Sequence, residues 1–351
     1  MPLTEGQLNT AIAALRERIK SPTLDPRPEA KALLDLILPP AAREELAQAR
    51  AGTLMWHLDG TLRLVPLAAL FDGEKYLVER YRLAVFTSAS KANLKDVPKA
   101  HWSGLGLGVS KARSVDQKQF SALSAVPKEL QTVIRQPEQK DGGVIPGNRY
   151  LDEDFTWAAV QDQLKKKGKY PLVHIASHFN LEPGNDTMSY LLPGAGEPIS
   201  LAIITRQNNL FGGVDLLTLS ACETAVGGGR DDTGREVDGL SFIAQRQGAK
   251  AVVATLWPVA DASTALLMGH FYQLRESRSL TKAEALRQAQ LALLNGKVGA
   301  GGTAAGKDER GGRLAPEDGA NAASTAFAPD PNAPYAHPYY WAPFILMGNW
   351  L

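Results

Sequence analysis

The chain has 351 residues, 44% of them hydrophobic, so it has ample apolar material for one large α/β domain with an accessory segment, or for two fused halves. With 38 Lys+Arg against 37 Asp+Glu and no basic stripe or acidic tail, electrostatic attraction to nucleic acid or membrane is not expected, which leaves proteins and small molecules as partners. The single cysteine, Cys222, excludes an internal disulfide framework and a cysteine-rich zinc site, and fits a reducing cytoplasm.

Met1 to Gly6 carries no charged-then-apolar signal pattern, and no run of about eighteen apolar residues occurs, so a soluble cytoplasmic protein is expected. Over residues 4–20, Leu8, Ile12, Leu15 and Ile19 share one helical face with Thr4 as N-cap. A second helical stretch covers 29–38, and prolines at 22, 26, 28, 39 and 40 punctuate the region. Residues 1–50 thus read as an N-terminal helical segment, either a cap on the next domain or a partner-binding module. From Thr53 the period changes, and Leu54 to Leu58, Asp59-Gly60, then Thr61 to Val65 predict a hairpin through a tight turn. Tyr76-Leu77-Val78 and Leu83 to Phe86 add strand signals. Gly104-Leu105-Gly106-Leu107-Gly108 lacks the spacing of a phosphate loop and predicts a glycine-rich strand where backbones pack closely.

The second half alternates. A helix is expected near 153–167, strands ending at His178 and Cys222, a helix over 236–247, a strand over 251–256, helices over 262–275 and 282–294, and a closing strand within 339–347. Such alternation marks a mostly parallel sheet flanked by helices. Between Asn295 and Pro338 the chain is rich in Gly, Ala, Pro, Asp and Asn, which predicts a mobile surface loop or, alternatively, a regulatory or self-cleaved one with Lys307, Arg310 and Arg313 as cut sites.

The chemistry concentrates at two strand ends. If Leu172 to His178 and Val214 to Cys222 are buried parallel strands, imidazole and thiol emerge at one carboxyl edge, where open α/β sheets hold ligands. Cys222 then enters Glu223 to Gly229, a glycine-rich turn that lets a peptide approach the sulfur. A neighbouring imidazole can take the thiol proton and return it to a leaving amine. His178, at the exit edge, is the better base; His174 shares its face but lies deeper, hydrogen-bonded in the core. No HExxH pattern or acidic third ligand accompanies the pair, so no metal or other cofactor is expected. Glu223, Asp231, Asp232 and Asp238 are candidates for an acidic pocket accepting Arg or Lys, or are solvated turn residues. Asp261 reads first as the N-cap of the apolar helix behind it.

Several separated blocks carry a resemblance. His174-Ile175-Ala176-Ser177-His178, Leu219-Ser220-Ala221-Cys222-Glu223-Thr224-Ala225, Gly239-Leu240-Ser241, Gly248 to Val259, Lys282 to Gln290 and His337 to Phe344 together resemble a CHAT domain. Leu64 to Leu70 and Tyr76 to Tyr81 match that family's opening, so the likeness covers about residues 50–351. The resemblance implies a caspase-like sheet, with residues 51–140 as a degenerate, non-catalytic first half and 141–351 as the catalytic half. It implies His178 as general base and Cys222 as nucleophile, 44 positions apart, in a cysteine endopeptidase similar to caspases and separases. It further implies a protein substrate, a protein or ligand activator, and a link to bacterial immunity or cell death.

One position departs from the pattern. Glycine usually follows the catalytic histidine, where its N–H joins that of the cysteine in an oxyanion hole; here Phe179 stands beside Cys222 in that role. A positive φ there would strain phenylalanine. Phe179 therefore keeps open the alternative of a catalytically idle scaffold that binds a protein partner, and acyl transfer through the same thiol is a third reading.

Overall fold

A computed structural model of the chain describes residues 3–115, 117–138, 142–182, 185–220, 239–257, 261–298 and 326–351. In chain order the strands are β1 (Thr53–His57), β2 (Arg82–Phe86), β3 (Gly104–Gly108), β4 (Arg113–Val115), β5 (Lys118–Phe120), β6 (Ile134–Arg135), β7 (Ile145–Leu151), β8 (Leu172–Ala176), β9 (Phe179–Asn180), β10 (Tyr190–Leu191), β11 (Ile199–Ser200), β12 (Leu216–Leu219), β13 (Ala251–Thr255) and β14 (Phe344–Gly348). The helices are α1 (Glu5–Ile19), α2 (Arg27–Ile37), α3 (Pro40–Gln48), α4 (Leu77–Arg80), α5 (Val126–Val133), α6 (Trp157–Leu164), α7 (Leu201–Thr205), α8 (Gly239–Arg246), α9 (Asp261–Arg278) and α10 (Lys282–Leu294).

Nine strands form one sheet in the order β1-β2-β14-β13-β12-β8-β3-β7-β6. Only β13 and β14 pair antiparallel within it, so β1, β2 and β14 run one way and the other six the opposite way. The expected mostly parallel α/β sheet is present, and strands from both 51–140 and 141–348 share it. Alternation along β8 divides the core: Val173 and Ile175 join one apolar cluster with α6, α7 and α8, whereas Leu172 joins the other with α1, α2, α9 and α10.

The glycine-rich strand has a mechanical explanation. On β3, a Cβ at Gly106 would meet Ile134 Cγ1 at 3.2 Å and Leu130 Cδ2 at 3.3 Å, and at Gly108 it would meet Leu130 Cδ1 and Val126 Cγ1 at 2.7 Å. Gly104 likewise faces Ile134. Alternate residues of the strand are bare, and α5 settles into the space they leave.

The N-terminal segment is a cap. Thr4 closes a capping box with Gln7, and Ile12, Leu15 and Ile19 are fully buried in the larger cluster. Arg16 donates to the Leu64 carbonyl at 2.9 Å. Helix α3, started by Pro39-Pro40, adds a third helix to the two expected in this segment.

Two local expectations are corrected. The hairpin over 54–65 does not form: β1 pairs in parallel with β2, and Gly60–Leu64 coil into a 3-10 turn capped by Asp59. The two-residue turns that suit a hairpin need positive φ at the first central residue, but Asp59 in that place is extended at φ −130° and spends its carboxylate on the Gly60 N–H. The strand signal at Tyr76-Leu77-Val78 becomes α4, because Glu79 folds back to accept the Tyr76 N–H at 2.6 Å and starts a helical turn.

The stretch 295–338 falls mostly outside the described residues, with Lys307, Arg310 and Arg313. Its far end is anchored: Ala326 bridges to Leu24, the Phe327 N–H donates to the Thr23 carbonyl, and His337 Nε2–H donates to the Leu24 carbonyl. Among the described residues no helix is long and apolar enough to cross a membrane.

Candidate active site

Strands β8 and β12 lie side by side in parallel, with Leu216, Leu217, Thr218 and Leu219 opposite Leu172, Val173, His174 and Ile175. The Ser220 N–H extends the ladder to the Ile175 carbonyl at 2.8 Å. On the other flank the Val109 N–H reaches the Ala176 carbonyl at 3.0 Å, so β8 is held from both sides to its last residue. His178 comes two residues later at this carboxyl edge.

Among the described residues, Leu192, Phe120 and Ser121 help to position His178. Its carbonyl accepts from the Leu192 N–H at 3.0 Å, which ties the backbone to the strand pair β9–β10. Its ring lies 5.3 Å from that of Phe120, at the end of the β4–β5 hairpin. Its Nε2 lies 2.8 Å from the Ser121 carbonyl oxygen. A carbonyl can only accept, so Nε2 carries the proton and the neutral ring has its lone pair on Nδ1. The hairpin is itself fastened below, where Lys118 Nζ donates to Asn180 Oδ1 at 3.0 Å.

Phe179 is buried at 2% exposure in the first position of β9, opposite Leu191. It is not among the residues with positive φ, so its backbone is one a phenylalanine adopts without strain.

His174 has a different environment. It is fully buried, with Nδ1 2.9 Å from the Tyr272 hydroxyl and Nε2 2.9 Å from Glu129 Oε1. The Tyr272 hydroxyl is also 2.7 Å from Thr218 Oγ1. Burial pushes the Tyr272 phenol well above its ordinary range, against the opposing hydrogen bond with Thr218, so the hydroxyl keeps its proton. Both ring nitrogens of His174 are thereby committed within the core, as expected for the deeper histidine. Glu129, Tyr272, Thr218, Ser121 and Phe120 were not singled out in the sequence. Glu129 left a trace: it is a carboxylate on the same helical stripe as Val126, Leu130 and Val133, all buried.

Cys222, Glu223, Asp231, Asp232 and Asp238 lie outside the described residues. Helix α9 begins at Asp261, so Asp261 is its first residue and not the expected N-cap before it. Among the described residues no group of three or more His, Cys, Asp or Glu side chains is arranged to hold a metal ion.

No curated protein matches the chain. Among solved structures, the Arg specific cysteine proteinase gingipain R aligns at 10% identity with a TM-score of 0.40, over 77% of this chain and 55% of that one. The CHAT domain family model matches residues 27–349, starting at the first residue of α2 and so taking in α2 and α3, ahead of the block at Leu64 to Leu70. With nearly its whole length matched, the chain belongs to the CHAT domain family.

Proposed function

We propose that the chain is a cysteine endopeptidase in which Cys222 is the nucleophile and His178 the general base, and that it cleaves a specific protein partner. The observation that carries this reading is the His178 Nε2–H bond to the Ser121 carbonyl at 2.8 Å, because it leaves Nδ1 as the proton acceptor at the strand end beside β12. Leu219 and Ile175 are paired, and the sequence runs three residues past each to Cys222 and His178.

In the reaction, Nδ1 of His178 takes the Sγ proton, and the thiolate attacks the scissile carbonyl carbon. The Nε2–H bond to Ser121 becomes charge-assisted as the ring turns cationic, which stabilises the imidazolium. Backbone N–H groups of Phe179 and Cys222 serve the developing oxyanion; an N–H is available whatever the side chain. The imidazolium then protonates the leaving amine as the C–N bond breaks. Water, deprotonated by the same ring, cleaves the thioester and frees the new carboxyl terminus.

Glu223, Asp231, Asp232 and Asp238 are the residues we assign to an acidic pocket for Arg or Lys. A protein or ligand activator that orders the turn after Cys222, and a role in bacterial defence in the cytoplasm, belong to the same proposal.

Alkylation by iodoacetamide tests the dyad without a known substrate, since Cys222 is the only thiol. An ordinary thiol reacts as its pKa of about 8.5 allows, so a reactive wild type at about pH 6, slowed at least tenfold by His178→Ala, is the expected result. Identical pH profiles for the two proteins would overturn the dyad.

A further inference from the structure

His174 and Thr218 are register partners on adjacent strands. Each stands four residues before a dyad member, His174 before His178 and Thr218 before Cys222. The Tyr272 hydroxyl of α9 lies 2.9 Å from one and 2.7 Å from the other, so one buried oxygen joins the two strands through their side chains. From the other ring nitrogen, His174 reaches Glu129 of α5 at 2.9 Å. A consistent set of donors runs one way: Thr218 O–H to the Tyr272 oxygen, Tyr272 O–H to Nδ1, and Nε2–H to the Glu129 carboxylate.

The anchored helix α5 is also the element that supplies His178 with its partner. Ser121 lies in the short lead-in to α5, between the β4–β5 hairpin and Val126. That lead-in is tied to the segment that follows β3 by the Leu123 N–H donating to the Ser110 carbonyl at 2.9 Å, and α5 itself is seated on the bare glycines of β3. Where α5 sits along β8 therefore sets where the Ser121 carbonyl meets Nε2.

We infer that Glu129, His174, Tyr272 and Thr218 form a positioning device for the His178–Cys222 pair: the chain of hydrogen bonds fixes the spacing of the two dyad strands and the seat of α5 that aims His178. In this role the four act through β8, β12 and Ser121. The inference rests on the proposed dyad. A buried hydrogen-bonded chain of this kind specifies one arrangement, since an apolar substitute would permit several.

Tyr272→Phe removes one oxygen and keeps the ring, and Thr218→Val removes the other end of the same bond at equal size. The test compares iodoacetamide rates at Cys222 across pH for wild type, Tyr272→Phe, Thr218→Val and His178→Ala, with thermal melting of each protein in parallel. Misplacing a reacting pair by a fraction of an ångström is expected to slow the reaction about tenfold, so both variants should fall to between wild type and His178→Ala while still melting cooperatively. The pH profile should shift toward that of an ordinary thiol, which a loss of stability alone would not produce. Wild-type profiles from both variants, with or without lower melting temperatures, would overturn the positioning role and leave the dyad intact. A wild type that matches His178→Ala would instead overturn the dyad, and the positioning role with it.

Discussion

Leu219 and Ile175 face each other across adjacent parallel strands, and three residues beyond them the sequence reaches Cys222 and His178. On the proposed function this register is what would bring two separate sequence motifs to one site. It is the ground for proposing that a histidine and a cysteine 44 positions apart work together, since parallel strands in register end at the same edge of a sheet.

The two histidines of His174-Ile175-Ala176-Ser177-His178 separate by stability. His174→Ala strips Glu129 Oε1 and the Tyr272 hydroxyl of a buried partner, and should cost about 3–5 kcal/mol in urea unfolding. His178, half-buried at the edge, should cost about 1 kcal/mol or less when replaced by alanine. Equal losses, or the reverse order, would contradict the division between a core histidine and an edge histidine.

Gly108→Ala probes the seat of α5. The added methyl group would meet Leu130 Cδ1 and Val126 Cγ1 at 2.7 Å, and overpacking of this kind costs about 1–3 kcal/mol. Chemical denaturation should show that loss together with slower alkylation of Cys222, because α5 carries Ser121 toward His178. A stable variant with unchanged Cys222 reactivity would mean that α5 is free to shift.

These same elements divide what the sequence reveals from what it conceals. Continuous apolar runs and glycine spacing located β3, β8, β12 and β13, because strands buried on both faces leave a local pattern. The catalytic candidates were legible for the same reason, as polar residues terminating apolar runs. Glu129, Tyr272 and Ser121 were not, since their roles arise only when α5 and α9 close over the sheet. Ser121 acts through its carbonyl, which no side-chain motif encodes. The hairpin over 54–65 failed on one dihedral: a long-range parallel pairing of β1 with β2 outcompeted a local turn that Asp59 was not placed to make.

His337 should give the fold an acid-sensitive step. Burial lowers its pKa from 6.5 to about 4, against the raising influence of the Leu24 carbonyl and Asp25. As a neutral ring it donates from Nε2 to the Leu24 carbonyl at 2.8 Å and accepts the Tyr339 N–H on Nδ1 at 3.0 Å, an acceptor that protonation would destroy. Between these two pKa values the unfolded chain binds the extra proton and the folded one does not. Stability is therefore full above about pH 6.5 and declines as pH falls toward about 4, by about 3 kcal/mol in all. His337→Gln should flatten the pH dependence of the melting temperature in that window. An unchanged slope would assign the loss to other groups, such as His270, which burial also holds below its ordinary value.

Peptidase activity is tested most directly by comparing newly created protein N-termini in cells that express the wild type, Cys222→Ala or His178→Ala, alongside the genes of its native neighbourhood. Fragments should appear with the wild type and vanish equally with Cys222→Ala and His178→Ala, their cut sites revealing the preferred residue. N-termini identical in all three would contradict a Cys222–His178 peptidase.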